Sequence, residues 1–491
     1  MNHDSDYYAI LGVEPQATTE VIREAFTRQV ANFPKGADSL VDDPVYQRLL
    51  QAYQVLSDRE RRATYDSLMA EAAAPDLTIT VEASRTQLQV SKSAQAVYLL
   101  VDVKLRDAES RTRLPLNLCL VIDRSTSMQG ARLDRVKSGV EMIIEKLAPD
   151  DVMSAVTFSD RAEVILPARR ISNKKAVMAQ IRSILASGGT EIYQGLAAGM
   201  QEIRQAPLEQ YNSHLILLTD GHTYGDEEEC LLLSRQAAAQ GVDFTAFGIG
   251  AEWNDRFLDQ LVSPSGGHSN YVATAQQIIE YLQERVTDLG TVYARNVRLM
   301  ANLHKSVTLL HGFKLSPFSQ PLTVETGEIK LGNIEGNVPL SFLLKLSVGP
   351  QPVEARIKMP LTIKAQIPAL KMKERTVKQT VELLVLSEAA RAEPPRQLLK
   401  AVRMWNMYRM NEKVWEEVEA GRLELAVTRM HHLSTRLLEA GEAKLAQQAY
   451  MEKERLASMG TTTLEGRKRL KYGTRALITR TLNLDQNDEV S

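Results

Sequence analysis

Apolar and polar positions follow different rhythms along this chain, and the changes of rhythm divide it into parts. Between residues 5 and 69 apolar side chains recur at helical spacing: Val21, Ile22, Ala25, Phe26 and Val30, then Tyr46, Leu49, Leu50, Tyr53 and Leu56. That pattern predicts a small all-α unit over 1–69. Alanines followed by Pro75 interrupt it and predict a linker over 70–76. From 77 to 113 the segments LTITVEAS, TQLQV and AVYLLVDVKL are rich in Val, Leu and Thr with partial alternation, as strands are. Similar segments return in 289–390, NVRLMANL, SVTLLHGF, PLTVETGEIKL, VPLSFLLKLSV and ARIKMPLTIKA, separated by Gly, Pro and Asn. Neither set is complete alone. We therefore expect one antiparallel β-sandwich whose first strands lie in 77–113 and whose others lie in 289–390.

Between the two sets, residues 114–288 alternate apolar strands with amphipathic helices: NLCLVID, DVMSAVTF, HLILLTD and VDFTAFGIG each precede a helical or capping segment. Such alternation predicts a parallel sheet with helices on both faces. After Pro394 and Pro395 the helical rhythm resumes, and Gly421, Gly441 and Gly460 stand where helices stop. The string EAG at 419–421 and 439–441 is too little for a solenoid, so a helical bundle is expected over 391–480 and a polar, flexible tail over 481–491. Leu398, Val402, Trp405, Tyr408, Val414, Trp415 and Val418 form an apolar stripe suited to packing on neighbouring helices or on the sandwich. The expected class is multidomain, α/β plus β plus α, with the α/β domain inserted into the sandwich.

Composition narrows the function more than the fold. A chain of 491 residues should hold about three or four domains. Its 59 Lys and Arg against 61 Asp and Glu leave no global field for nucleic acid or a membrane surface. No basic segment leading into an apolar stretch opens the chain, and no run of eighteen apolar residues occurs, so no membrane span and a cytoplasmic location are expected. The two cysteines, Cys119 and Cys230, sit in apolar patterns and read as small core residues. Arg467, Lys468, Arg469, Lys471 and Arg475 cluster near the end and read as a solvated basic face, the alternative being a nucleic-acid contact, for which no fold motif stands out.

The chemistry gathers at strand ends. Asp123 ends NLCLVI and opens Asp123-Arg124-Ser125-Thr126-Ser127, one carboxylate and two hydroxyls on a loop; Asp220 ends HLILLT; Thr190 follows Gly188-Gly189. In an open α/β sheet, ligands bind beyond the carboxyl ends of strands. Hard divalent cations favour oxygen donors, and a set with two carboxylates at most leaves residual positive charge and an open position for an external Asp or Glu. The alternative, that Asp123, Ser125 and Ser127 merely cap the following helix, leaves Thr190 and Asp220 unexplained.

These five residues resemble the metal-ion-dependent adhesion site of von Willebrand factor A domains, with a match that extends over 114–288. The resemblance implies a Rossmann-like sheet, a Mg²⁺-type ion (Mn²⁺ or Ca²⁺ as substitutes) and a protein partner presenting an acidic residue. It also implies that Asp123, Ser125 and Ser127 are direct or near-direct ligands, with Thr190 and Asp220 reaching the ion directly or through water. Arg124 departs from the small or apolar residue common there, and either reaches the partner's carboxylate or points to water. His222 lies on the same rim as a second candidate for partner contact. Asp226 to Glu229 either bias the rim against acids or complement a helix N-terminus.

The segments DYYAILGV, REAF and QAYQVLSDRERRATYD resemble a J-domain over residues 6–68. That family's His-Pro-Asp loop engages a chaperone ATPase; here Asn32, Phe33, Pro34, Lys35 and Gly36 stand in its place and only the proline remains. A degenerate J-like docking module is therefore expected. No nucleophile–base pair or phosphate-binding glycine loop stands out, and Gly248-Ile249-Gly250 lacks dinucleotide-site spacing. The layout looks like bacterial cytoplasmic A-domain proteins. The expectation is a non-enzymatic adaptor, the alternatives being a co-chaperone of a chaperone ATPase and an accessory of a MoxR-type AAA ATPase.

Overall fold

The computed structural model describes residues 6–33, 43–72, 76–106, 114–222, 225–289, 292–325, 327–335, 338–368, 373–390 and 392–488, in two compact units, 1–75 and 76–491. Among its described residues the first has four helices: α1 (Tyr7–Leu11), α2 (Thr19–Val30), α3 (Pro44–Leu56) and α4 (Arg59–Ala72). Asp6, Thr18 and Asp43 cap the first three through their side chains, and Pro44 occupies the start of α3, where its missing N–H costs nothing. Tyr8, Leu11, Ile22, Leu49, Ala52 and Leu56 form the core, with Phe26 stacked on Tyr53 at 4.3 Å between centroids. Helix α4 runs to Ala72, into the stretch the alanines marked as linker.

The second unit begins with β1 (Asp76–Ala83), β2 (Gln87–Gln89) and β3 (Gln95–Arg106). An α/β domain follows: β4 (Leu116–Asp123), α5 (Ala131–Lys146), β5 (Val152–Phe158), β6 (Ala162–Arg170), α6 (Lys174–Arg182), α7 (Ile192–Ile203), β7 (Asn212–Thr219), α8 (Glu227–Ala239), β8 (Asp243–Ile249), α9 (Asp255–Val262), β9 (His268–Val272) and α10 (Ala275–Leu289). Its sheet has the order β6-β5-β4-β7-β8-β9 and is parallel except for β6. Alternation along β4 feeds two cores. Leu116, Leu118, Leu120 and Ile122 meet α5, α6 and α10, while Cys119 and Val121 meet α7, α8 and α9 on the opposite face. Cys230 joins the second core; both cysteines are buried and free.

The chain then returns through β10 (Val292–Ala301), β11 (Val307–Ser316), β12 (Gln320–Leu322), β13 (Val324–Glu325), β14 (Glu328–Glu335), β15 (Leu340–Val348), β16 (Arg356–Ile367) and β17 (Lys373–Leu386). The two resulting sheets, β1-β3-β15-β11-β12 and β13-β14-β10-β16-β17-β2, each mix strands from before and after the insertion. Among the described residues the pairing departs from pure antiparallel where β2 runs parallel to β17. Strands β6, β9 and β17 went unmarked in the sequence because their apolar positions are sparse or short.

Four helices close the chain: α11 (Arg396–Glu419), α12 (Leu423–Glu439), α13 (Ala443–Met459) and α14 (Leu464–Asp488). Gly421, Gly441 and Gly460 all follow helix ends at positive φ (72°, 81° and 67°). The apolar stripe divides by face: Leu398, Trp405 and Tyr408 pack on Leu100, Phe313 and Leu343 of the sandwich, while Val414 and Trp415 enter the bundle. Two expectations need correction. Helix α14 continues through 481–488, assigned above to a tail. The basic cluster is not a solvated face either: Lys468, Lys471 and Arg475 are buried, and of the five only Arg469 is exposed. Lys471 meets Asp255 at 2.5 Å and Asp259 at 2.8 Å, and Arg475 grips Asp259 through both terminal nitrogens at 2.9 and 2.5 Å. These cations fasten α14 to α9 of the α/β domain.

Candidate metal centre

Strand β4 has β5 on one side and β7 on the other, so the chain leaves it in opposite directions and a crevice opens beyond its carboxyl end. Asp123 is the last residue of β4 and Asp220 follows β7, both with essentially no exposure. A short 3₁₀ turn, Thr126–Met128, sets the hydroxyls: Ser125 is buried, and Ser127 reaches the surface. The loop carrying Thr190 is tied to this turn by Ser187 N–H donating to Arg124 O (2.7 Å) and Thr126 N–H donating to Gly188 O (3.1 Å). Gly188 adopts φ +82°, and a Cβ there would lie 2.5 Å from the Asp160 carboxylate; the close turn needs glycine.

The five expected residues converge. Asp123 accepts from Ser125 N–H (2.8 Å) and the Thr219 hydroxyl (2.7 Å). Ser125 Oγ lies 3.0 Å from Ser127 Oγ, which donates to Asp220 Oδ1 at 2.7 Å. Thr190 Oγ1 comes within 3.1 Å of where a Cβ on Gly221 would sit, beside Asp220. Burial raises the Asp123 carboxyl above the usual carboxylate range; Ser125 and Thr219 counter that by hydrogen bonding, and the Asp220 charge adds to the rise. Among the described residues no ion pair reaches Asp123, whereas Asp220 receives the Arg132 guanidinium. Nor, among them, do three or more His, Cys, Asp or Glu side chains come together in a way that could hold a metal ion, so a cation here would rest on two carboxylates and hydroxyls, a hard-oxygen set.

Arg124 does not simply point to water. Its Nη1 donates to Ser187 Oγ at 2.6 Å and its Nη2 lies 3.7 Å from Glu163, so it ties two loops together. His222 is exposed, at a groove with Trp253, Arg256, Glu419, Arg467 and Lys468. Asp226 accepts from Tyr193 N–H at the first turn of α7 (2.9 Å), and Glu227 to Glu229 occupy the first turn of α8, which supports helix N-termini. Phe33 is half-buried with its ring edge-on to Tyr46 at 5.8 Å; Pro34 and Lys35 lie outside the described residues. Thr219 and Arg132 were missed. Thr219 lies inside the apolar run HLILLT and Arg132 near the start of a helix, and nothing local in the sequence singles out either one.

Residues 117–285 match the family model for the von Willebrand factor type A domain. This segment is a von Willebrand factor type A domain. Residues 6–66 match the DnaJ domain, and 396–480 match a domain described as Sll0103-like, C-terminal alpha-helical. The chain is 29% identical over 279 residues to an uncharacterized protein sll0103 of Synechocystis sp., covering 55% of this chain and 66% of that one. It is 24% identical over 209 residues to an uncharacterized protein YfbK of Escherichia coli, covering 42% and 36%. The matches thus span less than two thirds of these relatives. A von Willebrand factor type A structure from Catenulispora acidiphila shares the fold with TM-score 0.66 at 14% identity, over 82% of this chain and 97% of that one. The DnaJ segment is 41% identical over 61 residues to the chaperone protein DnaJ of Ureaplasma parvum, 12% of this chain and 16% of that one. Among the described residues no helix is long and apolar enough to cross a membrane.

Proposed function

We propose that this chain is a non-enzymatic adaptor whose A domain holds a divalent cation, Mg²⁺ in the first instance, and through it captures an acidic residue of a partner protein. One observation carries the reading: Asp123, Ser125, Ser127, Thr190 and Asp220 meet beyond β4 and β7, with Asp123 buried and, among the described residues, without a counter-cation. A buried carboxylate in that state is costly unless a positive charge joins it. When bound, the ion supplies a Lewis-acidic position open to an external carboxylate. Asp123, Ser125 and Ser127 would hold it directly or nearly so, while Thr190 and Asp220 complete the set from the facing loops.

The test is calorimetric titration of Mg²⁺ and Mn²⁺ into the wild type and Asp123→Ala. Binding that is stoichiometric in the first and lost in the second supports the reading; identical heats in both would overturn it. For the DnaJ domain we propose docking without stimulation of a chaperone ATPase, because Phe33 turns its ring onto Tyr46 where the family places a polar residue. ATPase stimulation by the wild type at micromolar concentration would refute that part. A MoxR-type AAA ATPase is a further candidate partner by family analogy.

A further inference from the structure

We propose that Arg132 is a resident counter-cation of the A-domain site, one that holds Asp220 while the site is empty of metal and opposes the entry of a divalent ion. The inference rests on the metal reading above. Arg132 is the second residue of α5, and its Nη1 donates both to Asp220 Oδ2 and to the Ser127 carbonyl, the latter at 3.3 Å. It therefore touches two of the five residues of the site. Its partner is wholly buried on the side-chain side, whereas the arginine side chain keeps 39% exposure and faces the rim.

The guanidinium does not hang free. Gly250, at the end of β8 with φ +71°, leaves the space beneath it: a Cβ there would stand 2.9 Å from Arg132 Nη2. The Gly250 carbonyl accepts the Trp253 indole N–H (2.8 Å), and Lys468 of α14 donates to the Ala251 and Trp253 carbonyls, each at 2.5 Å. The floor under Arg132 is thus braced from the C-terminal helices, which favours one position of its head group over many.

The guanidinium of Arg132 is a resident positive charge, so Asp220 has a counter-charge beside it before any metal enters. An incoming ion then finds one uncompensated carboxylate, Asp123, and a fixed positive charge sharing the second. The expected result is a site that loads metal weakly and, once loaded, keeps more of the ion's charge for an external carboxylate.

The experiment is Mn²⁺ titration, by calorimetry, of the full chain as wild type, Arg132→Gln, Arg132→Lys and Asp123→Ala. Arg132→Gln should bind Mn²⁺ on the order of tenfold more tightly or better, because a Coulomb repulsion at one shared carboxylate is relieved. Arg132→Lys retains the charge and should stay near the wild type. Without metal, Arg132→Gln should melt earlier, since Asp220 loses its cation, and saturating Mn²⁺ should restore it by a larger shift than the wild type shows. If Arg132→Gln, folded by circular dichroism, binds Mn²⁺ as the wild type does or more weakly, the counter-cation role is refuted while the metal reading stands. If Asp123→Ala binds Mn²⁺ like the wild type, or if none of the four binds, the metal reading fails and this inference with it.

Discussion

Replacing Asp259 by Ala should loosen the C-terminal helices from the A domain, and the size of the effect follows from what the carboxylate leaves behind. Asp259 sits on α9 and receives Lys471 at 2.8 Å and Arg475 at 2.9 and 2.5 Å, with Ser269 Oγ (2.5 Å) and Gln320 Nε2 (3.3 Å) as further donors. The cations are almost wholly enclosed, their side chains 2% and 4% exposed, and their charge holds the Asp259 carboxyl well below the usual carboxylate range against the opposing effect of burial. Lys471 keeps Asp255 after the substitution, but Arg475 keeps only neutral partners, Gln320 and Tyr408. Breaking a buried pair and stranding one charge costs about 3–5 kcal/mol. Glu419, 46% exposed and paired with Arg256 at 2.8 Å and with Arg467 at 3.4 Å, offers an internal control from surface pairs worth about 0–1 kcal/mol each. Urea unfolding followed by tryptophan fluorescence, with limited proteolysis at the α13–α14 connection, measures both. A loss below about 1 kcal/mol for Asp259→Ala, no larger than that of Glu419→Ala, would refute the claim that buried charge fastens these helices.

Other consequences can be measured separately. His214 and His268 are buried and held well below the ordinary histidine range, first by burial and then by the charge of Arg285, joined at His268 by Lys314. As pH falls through 6.5 the unfolded chain therefore takes up protons that the folded one refuses, about half a proton per histidine at that pH, so stability should fall by roughly 1.4 kcal/mol per pH unit there, steepening toward roughly 2.7 as both histidines of the unfolded chain become fully protonated. Asp243, pushed up to about 6 chiefly by burial, binds a proton in the fold between its ordinary value and that pH, which should halve the slope below about pH 6; a urea midpoint unchanged between pH 7 and 5 would contradict this. Asp123→Asn, measured with chelator present, should be as stable as the wild type or more so, because it removes a buried charge that lacks a cation; a loss above about 2 kcal/mol in urea would show that the carboxylate is already compensated. Gly248→Ala should destabilise the A domain by about 1–3 kcal/mol, since its Cβ would lie 1.9 Å from the Trp253 ring; an unchanged thermal midpoint would mean that the ring has room to move.

The parts of the fold with strong periodicity were legible. The all-buried strands β4 and β7 read as apolar runs ending in Asp, which located both carboxylates and hence the centre. Gly421, Gly441 and Gly460 marked helix ends because their left-handed backbone leaves few residue choices. What escaped depends on contacts distant in sequence. Lys471 and Asp259 are separated by more than two hundred positions, so nothing local distinguishes a buried lysine from a solvated one, and the solvated reading is the commoner outcome for a basic run. Arg132 was missed for a related reason: its partner lies 88 residues ahead, and helix periodicity places it outward at the surface. Short or edge strands such as β6 and β9 carry little alternation, because one side is covered irregularly.

The buried cations also bear on where a partner can approach. Helix α11 packs Leu398, Trp405 and Tyr408 on the sandwich, and α14 adds Thr479, whose hydroxyl donates to Leu315 O at 3.1 Å. At its other end α14 fixes the loop 251–253 through Lys468, whose ammonium is lowered to about 8 chiefly by burial and sits 4.4 Å from the Trp253 ring. The same helical domain is therefore bonded to the scaffold and to a loop at the rim of the candidate centre. His222, two residues after Asp220, lines one groove with Arg256, Arg467 and Lys468, so on the proposed reading a partner whose carboxylate reaches the cation and whose surface extends over His222 also lies against the first turns of α14. Partner binding should then protect the α14 N-terminal amides from hydrogen exchange as well as the loops around Asp123. Protection confined to the A-domain loops would mean that the partner approaches from the α5 side and that the helical domain acts only as a brace.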